Sequence, residues 1–132
     1  MIAVSSRDLI QAFWAAMQAN HWAKAAGYLA PECVIDWPGS GERIVGRHDF
    51  AAMRARYPTR TGRWSFDVHR LVGDGDMVVS EIAVTDGDQS ARLVAFSDVD
   101  CDHVVRQVEY WLTAYDPLPG REDLTRPTER IP

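Results

Sequence analysis

Apolar positions in the first third of the chain recur at three- and four-residue spacing. Leu9, Ile10, Phe13, Trp14 and Met17 make one stripe, which predicts an amphipathic helix over about residues 6–19. Ser5 or Ser6 can cap it, and Asp8 sits in its first turn, at the positive end of the helix dipole. Trp22, Ala25, Ala26 and Leu29 predict a second, short helix that Pro31 ends. Cys33–Trp37 reads as a short strand closed by Pro38-Gly39-Ser40-Gly41, and Glu42–Val45 as another, ended by Gly46. Phe50, Ala51, Met53 and Tyr57 mark a third helix that stops at Pro58.

Beyond residue 63 the period changes from helical spacing to alternation. Trp64–His69, Met77–Thr85, Ala91–Ser97 and Val104–Thr113 read as strands, separated by turns at Gly73–Asp76, Asp86–Asp88 and Asp98–Asp102. Strands joined this tightly must be antiparallel neighbours. Helices grouped before a meander predict an α+β domain with the helices covering one face of a curved sheet. A covered concave face can leave a cavity. The stretch after Asp116, with Pro117, Pro119, Pro127 and Pro132, is expected to be irregular.

The 132 residues suit one domain, with a core over about residues 6–114 and a tail over 115–132. Net charge is −5, and the arginines are scattered, with no basic run. That argues against nucleic acid, whose binders concentrate positive charge on one face. No segment is apolar for long enough to cross a membrane. The amino-terminal residues lack a charged stretch followed by an apolar one, so a cytoplasmic protein without a signal peptide is expected. Cys33 and Cys101 stand far apart without metal-binding spacing and are expected to be reduced, partly buried thiols.

Three segments carry a family resemblance: Tyr28–Pro38 (YLAPECVIDWP), Gly39–Gly46 (GSGERIVG) leading into the third helix, and Gln107–Trp111 (QVEYW). Together they resemble the SnoaL-like branch of the nuclear transport factor 2-like superfamily over roughly residues 6–114. The resemblance implies a conical fold, with three amino-terminal helices packed on a strongly curved, mostly antiparallel sheet enclosing a pocket. It also implies, commonly, a homodimer through the sheet. The superfamily includes polyketide cyclases, ketosteroid isomerases, a scytalone dehydratase, a limonene epoxide hydrolase and many binding proteins. Aligned without gaps to ketosteroid isomerases, the general-base Asp position falls on Trp37 and the oxyanion-hole Tyr position on Phe13. An isomerase needs a carboxylate and hydrogen-bond donors there, so true ketosteroid isomerase activity is not expected.

The last predicted strand carries the candidate chemistry. Alternation puts Val105, Gln107, Glu109 and Trp111 on one face and Val104, Arg106, Val108 and Tyr110 on the other. If the first set faces inward, Glu109 is a carboxylate in an aromatic, partly dry site suited to acid/base catalysis. The alternative is an ion pair of Glu109 with Arg43 or Arg92 that only holds the sheet. The same alternation turns Asp36 away from the site if Trp37 points in, and leaves the facing of Asp67 and Glu81 open. The expected pocket lining is Phe13, Trp14, Met17, Trp37, Tyr57, Phe66, Phe96, Gln107 and Trp111. Most large aromatic residues of a small domain form core, and a pocket takes a subset of them.

His21, His48, His69 and His103 show no ligand spacing, so no metal is expected. Asp98, Asp100, Asp102 and Glu109 match positions 1, 3, 5 and 12 of a calcium loop, but His103 occupies the glycine position and the flanks alternate as strands. No cofactor motif is present, and the expected partner is a small apolar or aromatic molecule. The expectation is thus a SnoaL-like small-molecule protein with cofactor-free cyclase, isomerase or dehydratase chemistry; the alternatives are a non-catalytic binder or a structural module of the same fold.

Overall fold

In a computed structural model that describes residues 5–131, the Ser5 hydroxyl accepts the Asp8 N–H at 3.1 Å and starts helix α1, Ser6–Gln18. Met1–Val4, on which the signal-peptide expectation rests, and Pro132 lie outside the described residues. The predicted stripe is the buried face of α1: Leu9, Ile10, Phe13, Trp14, Ala16 and Met17. Helix α2, Trp22–Ala26, is shorter than its apolar pattern predicted. Leu29 and Pro31 belong instead to strand β1, Leu29–Trp37, because the Tyr28 carbonyl accepts the Val104 N–H at 2.9 Å and draws the chain into the sheet. Strand β2, Glu42–Val45, then leads to α3, Arg47–Arg56.

Gly46 makes that transition. It takes φ +87°, a region that disfavours a side chain, and its N–H donates to the Cys33 carbonyl at 2.7 Å. A Cβ there would meet the Pro31 carbonyl oxygen at 3.2 Å. The start of α3 is thereby fixed against β1, which sets where Arg54 and Tyr57 lie.

Four further strands follow: β3 Ser65–Asp74, β4 Met77–Thr85, β5 Ser90–Asp100 and β6 His103–Leu112. The sheet order is β2-β1-β6-β5-β4-β3, and β1 runs parallel to β6 while the other pairs are antiparallel. The last turn is tighter than the predicted Asp98–Asp102. Cys101 and Asp102 alone make it, both at positive φ (51° and 62°), which matches the twist of a two-residue hairpin. Asp98 and Asp100 are therefore strand residues of β5, and the calcium-loop spacing of the sequence is a hairpin here.

The inner face of β4 and β5 alternates, with Val78, Ser80, Ile82 and Val84 on one strand and Leu93, Ala95, Ser97 and Val99 on the other, all buried. Helix α1 packs against β3 and the edge of β4, and burial of its large apolar side chains contributes about 1.5–3 kcal/mol each. Phe13 meets Trp14 edge-on, with centroids 4.9 Å apart, and lies 5.9 Å from Phe50 of α3. Asp86 ties the β4–β5 turn to the segment after α3. It accepts from the backbone N–H of Arg60, Asp88 and Gln89 and from the Gln89 amide, and these donors hold its carboxyl well below the usual range.

Candidate functional site

At one end of the cone the inner face carries polar groups. Glu109, 3% exposed, accepts the Trp37 indole N–H at 2.8 Å on one oxygen and the Gln107 amide at 2.6 Å on the other. The Gln107 carbonyl oxygen accepts the Ser97 hydroxyl at 2.6 Å. Three strands thus supply one continuous chain of hydrogen bonds, with β1 giving Trp37, β5 giving Ser97 and β6 giving Gln107 and Glu109. The sequence placed Gln107 and Glu109 on one inward face, and they are there. Val105 is not, since β6 bulges opposite Asp98/Val99 and buries Val104 while leaving Val105 38% exposed. The bulge restores the phase only from Gln107 onward.

Neither Arg43 nor Arg92 pairs with Glu109. Arg43 and Arg106 hold Asp36, and Arg70 and Arg92 hold Glu81. Hydrogen bonds from these arginines depress both carboxyls, led by Arg43 at Asp36 and Arg70 at Glu81. Both clusters lie on the outer face, as alternation required for Asp36. Asp67 lies 3.4 Å from His69 and is exposed. Cys33 is buried beside Glu109. Burial, and then the Glu109 charge, push its thiol up to about 12. Cys101 is fully exposed rather than partly buried, because it stands on the hairpin turn; both cysteines are free.

The positive charge facing the site comes from α3. Arg54 is 4% exposed, and its guanidinium lies 5.4, 5.1 and 5.3 Å from the ring centroids of Trp22, Tyr57 and Phe66. Burial pulls its pKa down, while Glu109 and Tyr57 push it up. An arginine nonetheless stays charged. The sequence reading missed this residue among thirteen scattered arginines. The available signal was its spacing: Arg54 stands four residues after Phe50 and three before Tyr57, on the inward stripe of α3.

Two clefts open on this end. The outer, about 460 Å³, is lined by Trp37, Glu42, Met53, Arg56, Tyr57 and Trp111 among others. The inner, about 170 Å³, is lined by Arg54, Tyr57, Trp64, Val84 and Trp111 with Gln89, Ser90 and Thr113. Tyr57 and Trp111 form the wall between them. The Trp37 ring meets Tyr57 and Trp111 edge-on at 6.2 and 6.3 Å. Asn20, at φ 58°, fixes Trp64 by donating to its carbonyl at 2.6 Å and accepting its N–H at 2.8 Å.

Of the residues expected to line a pocket, Trp37, Tyr57 and Trp111 do so. Phe13, Trp14 and Met17 are buried in the core and line neither cleft, and Phe66 is buried against Arg54 and Trp14. Gln107 lies in the polar chain, fully buried. Phe96 is on the wrong face for the expectation: it is 41% exposed on the outer side and stacks edge-on with Tyr110, because the inward phase of β5 is Leu93, Ala95, Ser97 and Val99. Glu109 itself lines neither cleft.

The SnoaL-like domain model matches residues 10–110, most of the chain. The chain belongs to the SnoaL-like family. Among solved structures, a protein from Kribbella flavida named provisionally as a ketosteroid isomerase is 31% identical, with a TM-score of 0.85 over 94% of this chain and 90% of that one. A Mycobacterium tuberculosis epoxide hydrolase of the limonene type is 22% identical, with a TM-score of 0.66 over 80% of this chain and 81% of that one. A protein from Shewanella denitrificans named provisionally as a SnoaL-like polyketide cyclase is 13% identical, with a TM-score of 0.67 over 80% of this chain and 89% of that one. The last two show the shared fold alone. Among curated protein sequences none matches the chain. As a SnoaL-like domain it has the family's conical α+β fold, and no helix of the described residues is long and apolar enough to cross a membrane.

Proposed function

We propose that this SnoaL-like protein binds a small aromatic molecule in the clefts bounded by Trp37, Tyr57, Trp64 and Trp111 and performs cofactor-free proton transfer on it through Glu109. The observation that supports the reading is a carboxylate held on both oxygens, by Trp37 and Gln107, inside an otherwise aromatic site. Each oxygen keeps a further lone pair for a substrate proton. Such a fixed carboxylate can remove a proton beside a carbonyl and return it elsewhere, which is the common step of isomerisation, aldol cyclisation and dehydration.

The test is deuterium wash-in at the α-carbon of 2-tetralone in deuterium oxide, followed by proton NMR. The wild-type protein should accelerate exchange, and Glu109→Gln should reduce that acceleration by about 10²–10⁴. Equal exchange by the two proteins removes Glu109 from the role. One observation favours a second reading, a binding protein without catalysis: Glu109 lines neither cleft, so a reacting carbon must pass between Trp37 and Trp111 to reach it. Under that reading neither protein accelerates exchange, while native mass spectrometry finds an unchanged small molecule retained.

The outer sheet face supports pairing with a second copy. Val79, Phe96 and Val108 stand side by side across β4, β5 and β6, with Tyr110 next to them. The Arg70–Glu81–Arg92 and Arg43–Asp36–Arg106 clusters flank the row. An apolar row between charges of both signs suits a two-fold interface, where one patch meets itself. Sedimentation should show a wild-type dimer and a monomeric Phe96→Asp variant at micromolar concentration. A monomeric wild type would end the idea.

A further inference from the structure

Three buried donors without acceptors belong to residues that line the inner cleft. The Arg54 Nε–H and the indole N–H groups of Trp64 and Trp111 have no partner among the described residues. All three residues line the same 170 Å³ space. The rings of Trp22, Tyr57 and Phe66 surround the guanidinium but offer it no acceptor in its plane. Glu109, the carboxylate whose charge reaches it, directs its oxygens to Trp37 and Gln107 instead. A buried guanidinium with no acceptor is costly, and proteins keep such groups where something else completes them. A carboxylate supplies two acceptor atoms at the spacing of the guanidinium fork.

We infer that the molecule taken up by this site is a small aromatic carboxylate: its carboxylate is received by Arg54 with help from the Trp64 and Trp111 N–H groups, and its ring lies against Tyr57 and Trp111. This rests on the binding reading above and names its ligand class. The volume fits, since a cavity of about 150 Å³ admits a benzene ring. Apolar walls with a few convergent polar groups are also the usual make-up of a small-molecule site.

Titration of the ligand-free protein with sodium benzoate and with benzamide, at matched ionic strength and followed by tryptophan fluorescence and calorimetry, separates charge recognition from shape. Benzoate should bind at least about tenfold more tightly than benzamide. Arg54→Lys should lose about tenfold for benzoate, because an ammonium is a point charge rather than a fork. Arg54→Met should abolish the discrimination, because it keeps the apolar stem and removes the fork. Equal binding of benzoate and benzamide overturns the inference and leaves the cleft as a neutral binding site. Discrimination that survives in Arg54→Met overturns it too. Failure of both probes to bind at millimolar concentration overturns both this inference and the binding reading.

Discussion

Glu109→Leu is expected to destabilise the fold by about 3–5 kcal/mol, read as a lower urea midpoint. Leucine fits the apolar surroundings in size but accepts no hydrogen bond. The Trp37 indole N–H and the Gln107 amide, both buried, would lose their acceptor, at about 1–3 kcal/mol for each buried group left unsatisfied. Arg54 would also lose the negative charge that offsets its burial. Glu109→Gln should cost only about 1 kcal/mol by comparison. The introduced amide keeps an oxygen for Trp37. Gln107 can rotate its own amide to accept the new N–H, and the Ser97 hydroxyl can turn from donor to acceptor. The difference between the two substitutions isolates hydrogen bonding from charge. If leucine and glutamine cost the same, the network is not what Glu109 contributes to the fold.

Phe13→Ala should cost about 3–5 kcal/mol, measured by urea unfolding with an unchanged slope. Phe13 is fully buried, and its ring is shared between Trp14 on its own helix and Phe50 on α3. Those neighbours are large, ringed and fixed by the sheet beneath, so they cannot collapse into the space left behind. The same substitution at a ligand-contacting residue would cost little in the free protein and much in binding. A small loss of stability would therefore return Phe13 to the candidate pocket.

The chain order, the meander and the inward face of α1 were legible because each rests on a period repeated over many residues. The inward pair Gln107 and Glu109 followed from the same alternation. Phase was harder to read than period. Leu29 and Pro31 carry no mark that distinguishes a helix end from the start of a strand, and what decides is a hydrogen bond to Val104, 76 positions on from Tyr28. The β6 bulge likewise exchanges Val104 and Val105 between faces, and two adjacent valines give no hint of it. Phe96 is the largest apolar residue of β5, yet the smaller Ala95 and Ser97 fill the inward side. Arg54 is hard to read because an arginine is mostly exposed, and only its place in line with Phe50 and Tyr57 marks it as inward.

The parallel pairing of β1 with β6 has one more consequence. Trp37 and Glu109 are 72 residues apart, and the strand that joins them is the last of the sheet to be made. During synthesis, β1 must wait without this neighbour until nearly the whole domain has left the ribosome. A chain that stops short of the final strand has the residues of the helices and of β3–β5, but no Glu109 for the indole to grip. The hydrogen-bonded chain through Trp37, Glu109, Gln107 and Ser97 is therefore complete only once the final strand is in place.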